Sequence, residues 1–267
     1  MSLPPDPVRW FAETLRLTGV AHTGPETAGD AAFIGKRLGL INGSSWITPW
    51  ANYFGRLYVP GAQLVNVGNE AVQINFMEAH ERHAPTPPQS NIEAFARYAR
   101  DLAQLGHVDA ILITCSTMNR SHPVVAEAVR PWKIPVVQID RPMMERAVRH
   151  GGTTLVIATH GPTVASTEAL LGEAAAEAGT SLAFVGATVE TAWHRLAEGD
   201  VAGHNELLAQ AIRAQQAAGR IDSVVLAQLS MTVFLLSHPD PVAEFGIPVF
   251  TSGQCGFERV AEVLRRG

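Results

Sequence analysis

The chain has 267 residues, of which 46% are hydrophobic and 17% are charged, and its formal net charge is −5. These values indicate a compact chain of one large or two smaller domains. They disfavour disorder and, without a basic stripe, a nucleic-acid partner. No apolar run approaches the roughly 18 residues that cross a bilayer, so no membrane partner is expected. Residues 1–10 lack the pattern of a signal peptide, and two cysteines are too few for a disulfide framework, which predicts a cytoplasmic protein.

Strands and helices alternate in the predicted order of elements. Within residues 1–37, Trp10, Phe11 and Leu15 have helical spacing. The oligomeric state stays open, and Trp10, Phe11 and Trp46 are candidate interface residues of a homo-oligomer. Apolar runs predict strands at residues 37–42, 63–67, 110–114, 154–158, 181–185, 223–227 and 247–250. Helices are predicted at residues 91–105 (with Asn91 as cap), 164–178 (stopped by Gly179), 205–219 and 257–264, whereas residues 72–90 are interpreted as loop with some helix. This alternation predicts an α/β fold with a doubly wound, mostly parallel sheet in each half.

An internal repeat supports two copies of one α/β unit. Residues 109–118 read DAILITCSTM, and residues 222–231, which lie 113 positions later, read DSVVLAQLSM. The segment IPVV at residues 134–137 recurs at the same offset as IPVF at residues 247–250. The copies differ just past the strand, where Cys115 of the first copy is replaced by Gln228 in the second. A thiol in one copy and an amide in the other predict a site whose two faces differ.

Small polar residues follow the predicted strands, where open parallel sheets bind ligands. Placing the two halves face to face would bring these loops into one cleft, with backbone N–H groups that favour a carboxylate or an oxyanion. The candidate substrate-binding residues are Asn42, Ser44, Ser45, Ser116, Thr117, Thr159, Thr163 and Ser230. Cys115 is a candidate base, acid or nucleophile, since the start of a helix should lower its pKa; the alternative is an inert buried thiol.

Two further residues are candidates for direct chemistry. His160 follows a strand and is a candidate for ligand contact; the alternative is a surface or capping role. Cys255 lies in SGQCG at a helix start; the spacing differs from a G-x-S-x-G nucleophile elbow, so a packed thiol is favoured. The sequence has no metal-ligand spacing and no nucleotide-binding glycine motif, so neither a metal nor a nucleotide cofactor is expected.

The chain resembles the aspartate/glutamate/hydantoin racemase superfamily over residues 37–267. LINGSS at residues 40–45 is similar to the I-N-P-N-T-S opening strand and loop of hydantoin racemases. TCST at residues 114–117 resembles the first catalytic-cysteine motif, and Ala158-Thr159 with Thr163 resembles the loop that opens the second half. VLAQ at residues 225–228 stands where the family has its second cysteine motif, L-G-C-T or L-G-C-A.

The resemblance implies two pseudo-symmetric Rossmann-like domains, an active site in the inter-domain cleft and no cofactor. The last helix is expected to return to the first domain, so the domains are residues 1–141 plus 246–267, and residues 142–245. The family's racemases use two cysteines, one on each face of a carbon next to a carboxylate or carbonyl. Gln228 departs from this pattern, because an amide is neither an acid nor a base at ordinary pH. Either Cys255 or His160 supplies the second proton, or the reaction needs one thiol only.

The expected function is a cofactor-independent isomerase or racemase with Cys115 as base or nucleophile. Its substrate would be a small carboxylate or cyclic amide, such as an amino acid, a hydantoin or a dicarboxylate. The alternatives are a decarboxylase or other lyase that uses Cys115 alone, with Gln228 orienting a carboxylate, a cysteine-dependent hydrolase, and a non-catalytic small-molecule binder.

Overall fold

The structure is a computed structural model that describes residues 6–19, 26–159 and 161–266. Its strands are β1 (Arg37–Asn42), β2 (Gln63–Gly68), β3 (Ala110–Ile113), β4 (Val136–Gln138), β5 (Thr153–Ala158), β6 (Ala183–Thr188), β7 (Ser223–Leu226) and β8 (Val249–Thr251). Its α-helices are α1 (Pro7–Thr18), α2 (Thr48–Tyr58), α3 (Glu70–Glu81), α4 (Gln89–Gln104), α5 (His122–Val129), α6 (Arg141–His150), α7 (Gly161–Glu177), α8 (Glu190–Ala197), α9 (Val201–Ala218), α10 (Phe234–Ser237), α11 (Pro241–Phe245) and α12 (Ser252–Arg266). Short 3-10 helices lie at Ser45–Ile47, Ser116–Ser121, Arg130–Trp132 and Leu229–Val233.

The described residues form two compact units. The first unit contains the described residues up to Thr114, then Arg120–Val137 and the end of the chain from Phe257. The second unit contains Cys115–Asn119 and Gln138–Gly256. The short segment that begins at Cys115 therefore belongs to the second unit, although β3 directly before it belongs to the first.

The first unit is built on a four-stranded sheet of order β2-β1-β3-β4. β1 pairs in parallel with β2 and with β3, and Leu40 lies beside both Asn66 and Leu112. The sheet is central because Leu40 and Leu112 are fully buried, as expected for a parallel strand covered on both faces. Gly39 lets helix α4 approach β1, since a Cβ at this position would lie 2.9 Å from a methyl carbon of Leu102.

The second unit repeats this sheet, with the order β6-β5-β7-β8 and parallel pairing throughout. Its core has two parts on opposite faces of the sheet, because side chains alternate along a strand. Val224 and Leu226 of β7 belong to the cluster with α9, whereas Val225 belongs to the cluster with α6 and α7. Both predicted features, the α/β fold and the parallel sheet flanked by helices in each half, are confirmed.

The repeat is also visible in the element positions. β3 and β7 begin at residues 110 and 223, and β4 and β8 begin at residues 136 and 249, so both pairs are 113 positions apart. β1 and β5 begin 116 positions apart, at residues 37 and 153. β2 and β6 begin 120 positions apart, at residues 63 and 183, so the offset changes between the first and second strands and again between the second and third, where the connecting segments differ in length.

Some helix predictions are wrong. Asn91 does not cap α4, which begins at Gln89 after Pro88; its buried side chain donates instead to the Val72 carbonyl oxygen at 2.9 Å. The helix expected somewhere within residues 72–90 is most of α3, whereas α2, α6 and α8 lie in segments with no predicted element. Across the described part of the chain, no helix is both long and apolar enough to span a bilayer.

Candidate functional site

The cysteine loop, residues 115–119, follows β3 and turns at once into a 3-10 helix. Cys115 is partly exposed, and its Sγ lies 3.2 Å from the Thr117 hydroxyl oxygen. Directly before it, the Thr114 hydroxyl group donates to Asn42 Oδ1 at 2.6 Å, which fixes the end of β3 to the end of β1. The thiol is therefore presented from a well-anchored strand end.

The electrostatic setting of Cys115 differs from the expected one. Burial raises the pKa of the thiol, and hydrogen bonds from Thr117 and from the Met118 backbone lower it by less; the nearby carboxyl group of Asp140 raises it further. The predicted lowering by a helix start is wrong, since Cys115 precedes a 3-10 turn and α5 begins only at His122. The free protein thus holds Cys115 as a neutral thiol at neutral pH.

Asp140 is a residue of this site that the sequence analysis missed. It follows β4, is 1% exposed, and accepts hydrogen bonds from the Ser116 hydroxyl group at 3.1 Å and from the Asn119 amide. Burial raises the pKa of Asp140 to about 6, against the lowering effect of the bonds from Asn119 and Ser116. Its position directly after a strand was the available signal, but its partners lie 21 and 24 residues away.

Gln228 stands in the second copy where Cys115 stands in the first. Its Oε1 accepts from the Thr159 backbone N–H and from the Thr159 hydroxyl group, both at 2.8 Å. These two donors fix the orientation of the amide, since only its oxygen can accept. The amide NH₂ has no hydrogen-bond partner among the described residues, and Gln228 is partly exposed. Gln228 can therefore donate to a ligand oxygen.

The other predicted residues of the second copy are largely enclosed. Thr159 is 1% exposed, Ser230 is 3% exposed within a 3-10 helix, and Thr163 is 6% exposed in the first turn of α7. His160 lies outside the described residues. Among the described side chains of these loops, Gln228 is the partly exposed polar group, and Thr159 orients it.

Asn42 belongs to a buried network and not to an open binding surface. Its Nδ2 donates to Asn66 Oδ1 at 3.0 Å, and the Asn66 amide donates to Asn52 Oδ1 at 2.8 Å. Asn42 is 0% exposed and its oxygen is already used by Thr114. The predicted contact of Asn42 with ligand oxygens is thus replaced by a scaffold role, which binds the ends of three strands to one another.

The loop after β1 already holds a carboxylate. Ser44 is 3% exposed, whereas Ser45 is exposed and its backbone N–H donates to Glu70 Oε1 at 3.0 Å. The Ser45 hydroxyl group also donates to Glu70, and this bond is the main cause of the lowered pKa of that carboxyl group. The loop therefore binds a carboxylate of the protein itself, which comes from the start of α3.

The position of Cys255 and the arrangement of ionisable groups disfavour a second catalytic thiol and a metal site. Cys255 is 1% exposed in the apolar cluster with Met143 and Met144, so it is placed as the packed thiol that was the favoured alternative. Within residues 6–19, 26–159 and 161–266, no group of three or more His, Cys, Asp or Glu side chains has the geometry of a metal site. A cavity of about 200 Å³ at the amino ends of β1 and β2, beside Arg37 and Gln63, lies away from all of these loops.

Comparisons with known proteins identify the family and the fold. The model of the Asp/Glu/Hydantoin racemase family matches residues 68–260. No curated protein sequence matches the chain. Similar solved structures include an aspartate racemase homologue from Pyrococcus horikoshii OT3, with 17% identity, a TM-score of 0.58, and coverage of 86% of this chain and 99% of that one.

Two further structures are similar at comparable levels. Allantoin racemase from Klebsiella pneumoniae has 18% identity and a TM-score of 0.56, with 86% of this chain and 87% of that one covered. Glutamate racemase from Francisella tularensis in complex with D-glutamate has 16% identity and a TM-score of 0.59, with 86% and 81% covered. At these identities the structures establish the fold, and the family model establishes the relationship. The chain belongs to the Asp/Glu/Hydantoin racemase family and is an enzyme of the isomerase class.

Proposed function

We propose that the protein is an isomerase that acts at a carbon next to a carboxylate or carbonyl group of a small substrate, with Cys115 as its acid–base group. The observation that carries this proposal is the asymmetry between the copies. Cys115 is partly exposed on the first cysteine motif, whereas the matching position holds Gln228, an amide whose oxygen is occupied by Thr159. One thiol does the proton chemistry and one amide binds the substrate.

The proton steps balance with a single thiol. The Cys115 thiol, which is neutral in the free protein, first gives its proton to water. The thiolate then takes the proton from the substrate carbon, so an S–H bond forms as the C–H bond breaks, and the electron pair moves onto the carbonyl oxygen. The resulting enolate-like anion then takes a proton at the same carbon. Reprotonation by Cys115 on the original face restores the substrate. Reprotonation on the opposite face takes a proton from water, because Gln228 has no acidic proton at ordinary pH, and the hydroxide ion that is left takes the Cys115 proton and regenerates the thiolate.

The role of Gln228 in this scheme is electrostatic. Its NH₂ group has no partner among the described residues, and its orientation is fixed in advance by two hydrogen bonds to Thr159. A donor that is already oriented needs little reorganisation when negative charge develops on a substrate oxygen. Gln228 would thus stabilise the carboxylate or the enolate-like oxygen more strongly than a mobile side chain.

A second candidate function is favoured by the protonation state of Cys115. Because the pKa of the thiol is raised, the free protein holds a ready proton donor and few thiolate groups. A decarboxylase of a malonate-type acid needs such a donor: the C–C bond breaks, carbon dioxide leaves, and the electron pair on the remaining carbon takes the thiol proton. The thiolate is then reprotonated by water, and no second acid is required.

The test is solvent deuterium incorporation, followed by NMR, with amino acids, hydantoins and malonates as substrates. Wild type is compared with Cys115→Ala and with Gln210→Ala, which alters an exposed side chain of α9. Isomerisation predicts incorporation at the α-carbon with loss of optical rotation in wild type and Gln210→Ala only. A deuterated product of one hand after loss of carbon dioxide would establish the lyase. Exchange that is unchanged in Cys115→Ala, or absent with every substrate, would contradict a Cys115 acid–base role on these substrate classes.

A further inference from the structure

The cysteine loop is closed by one buried carboxyl group. The two oxygens of Asp140 accept from Ser116, which directly follows Cys115, and from Asn119, at the end of the loop. Asp140 itself is fixed by its place between β4 and α6, and it is 1% exposed. The carboxyl group therefore bridges the beginning and the end of the turn that presents the thiol.

The second copy makes the corresponding link without an ionisable group. The residues 113 positions after Ser116, Asn119 and Asp140 are Leu229, Thr232 and Gly253. There the backbone N–H of Gly253 donates to the Thr232 hydroxyl oxygen at 3.1 Å. The same connection between the post-strand turn and the segment after the last strand is thus made by a hydroxyl group and the backbone. The fold itself does not require a carboxyl group at this point.

A buried carboxyl group is costly, because its charged form loses the solvation of water and regains only part of it from hydrogen bonds. Asp140 bears this cost in the copy that carries the cysteine, and its negative charge opposes ionisation of the Cys115 thiol. The buried carboxyl group and its charge thus both concern one side chain, the Cys115 thiol. A purely structural role would be served equally well by the neutral link of the second copy.

We propose that Asp140 is a positioning residue for Cys115: through Ser116 and Asn119 its carboxyl group holds the turn that aims the thiol. The inference rests on the proposed role of Cys115. It adds to that role a residue which does not touch the substrate and which acts through the cysteine loop.

Other ionisable groups on the neighbouring elements have identified positions. Arg141, the next residue, directs its guanidinium group to Glu145 at 3.1 Å and to Glu177 of α7. Cys255 of α12 is buried in the apolar cluster beside α6. Cys115 is the ionisable group of the cysteine loop on which the charge of the buried carboxyl group acts.

The test measures the rate of Cys115 alkylation by iodoacetamide against pH, with each modified peptide assigned by mass spectrometry. The variants are Asp140→Asn, which keeps the size and one acceptor but removes the charge, Asp140→Ala, which also removes the hydrogen bonds, and the control Glu145→Gln on the same helix. For Asp140→Asn we expect the profile to shift to lower pH, with several-fold faster alkylation near neutral pH. The control should match wild type.

The expected effect on turnover is different in direction. Asp140→Asn and Asp140→Ala should lower kcat for α-carbon exchange at least several-fold with little change in KM, because the turn that aims the reacting thiol loses hydrogen bonds from Ser116 and Asn119. Asp140→Asn remains decisive if Asp140→Ala does not fold. A Cys115 alkylation profile that is the same in Asp140→Asn and wild type would overturn the proposal. Because alkylation needs no substrate, that result is distinct from a failure of the isomerase assignment.

Discussion

Gln228 has two separable roles, one in stability and one in binding, and two substitutions distinguish them. Gln228→Ala removes the acceptor of both Thr159 donors, whose bonds are 2.8 Å long. Thr159 is 1% exposed, so its N–H and hydroxyl groups would be left without a partner away from water. A buried unpaired polar group costs about 1–3 kcal/mol, so the two together should destabilise the protein by about 2–5 kcal/mol.

Gln228→Glu separates the roles. A glutamate has nearly the same shape and keeps an oxygen for both Thr159 donors, so we expect its free energy of unfolding to lie within about 1 kcal/mol of wild type. It replaces the free NH₂ donor by a negatively charged oxygen, which repels a substrate carboxylate. Turnover or binding of an anionic substrate should therefore fall at least about tenfold, which corresponds to about 1.4 kcal/mol.

The assay is urea unfolding followed by circular dichroism, together with thermal unfolding, in which each kcal/mol shifts Tm by about 2–4 °C for a chain of this size. Gln210→Ala, which loses one exposed bond to Glu206, serves as the control and should stay within about 0.5 kcal/mol of wild type. If Gln228→Ala were as stable as this control, the two bonds to Thr159 would not hold the amide. If Gln228→Glu kept full activity with an anionic substrate, the donor role would be refuted.

Three further outcomes are expected from the buried polar groups. Iodoacetamide should modify Cys115 slowly at pH 7 and faster as the pH rises, whereas Cys255 should react only on unfolding; modification of Cys255 in the native protein would contradict its packing. Asn42→Ala, which breaks the 3.0 Å bond to Asn66, should cost on the order of 3 kcal/mol in urea unfolding, and a cost below 1 kcal/mol would contradict the network role. Burial lowers the pKa of His204, so below about pH 6.5 the unfolded chain binds a proton that the folded protein does not, and the free energy of unfolding decreases as the pH decreases. In His204→Gln this decrease should be shallower. If urea unfolding of the variant had the same pH dependence as wild type, the assigned role of His204 would be wrong.

The sheets were predictable because their signal is local. Each strand of a parallel sheet is a short apolar run, so β1 was predicted with its observed bounds, Arg37–Asn42. The predicted strand at residues 110–114 is one residue longer than the observed β3. The repeat supplied the relation between the copies and thereby identified Gln228 as the counterpart of Cys115. This position was identified by the alignment of the two copies and by the place of VLAQ, residues 225–228, where the family has its second cysteine motif.

The missed features depend on tertiary contacts. Asn91 can cap a helix in principle, but here its side chain is needed by the Val72 carbonyl group, which lies 19 residues away. Asp140 gains its importance from Ser116 and Asn119, and its sequence neighbours give no indication of this. The raised pKa of Cys115 has the same origin, because burial outweighs the local hydrogen bonds that sequence reasoning could anticipate.

The two copies have kept the same strands and have diverged in the residues that follow them. β3 and β7 are fully buried in both units, but Cys115, Ser116 and Thr117 are partly exposed, whereas Leu229 of the second copy is 3% exposed. The first copy presents partly exposed polar residues after its strand, whereas the second presents a packed turn with a single oriented amide. Gln228 supplies no acid in the second copy, so in the proposed mechanism the second proton comes from water or from His160, or is not required.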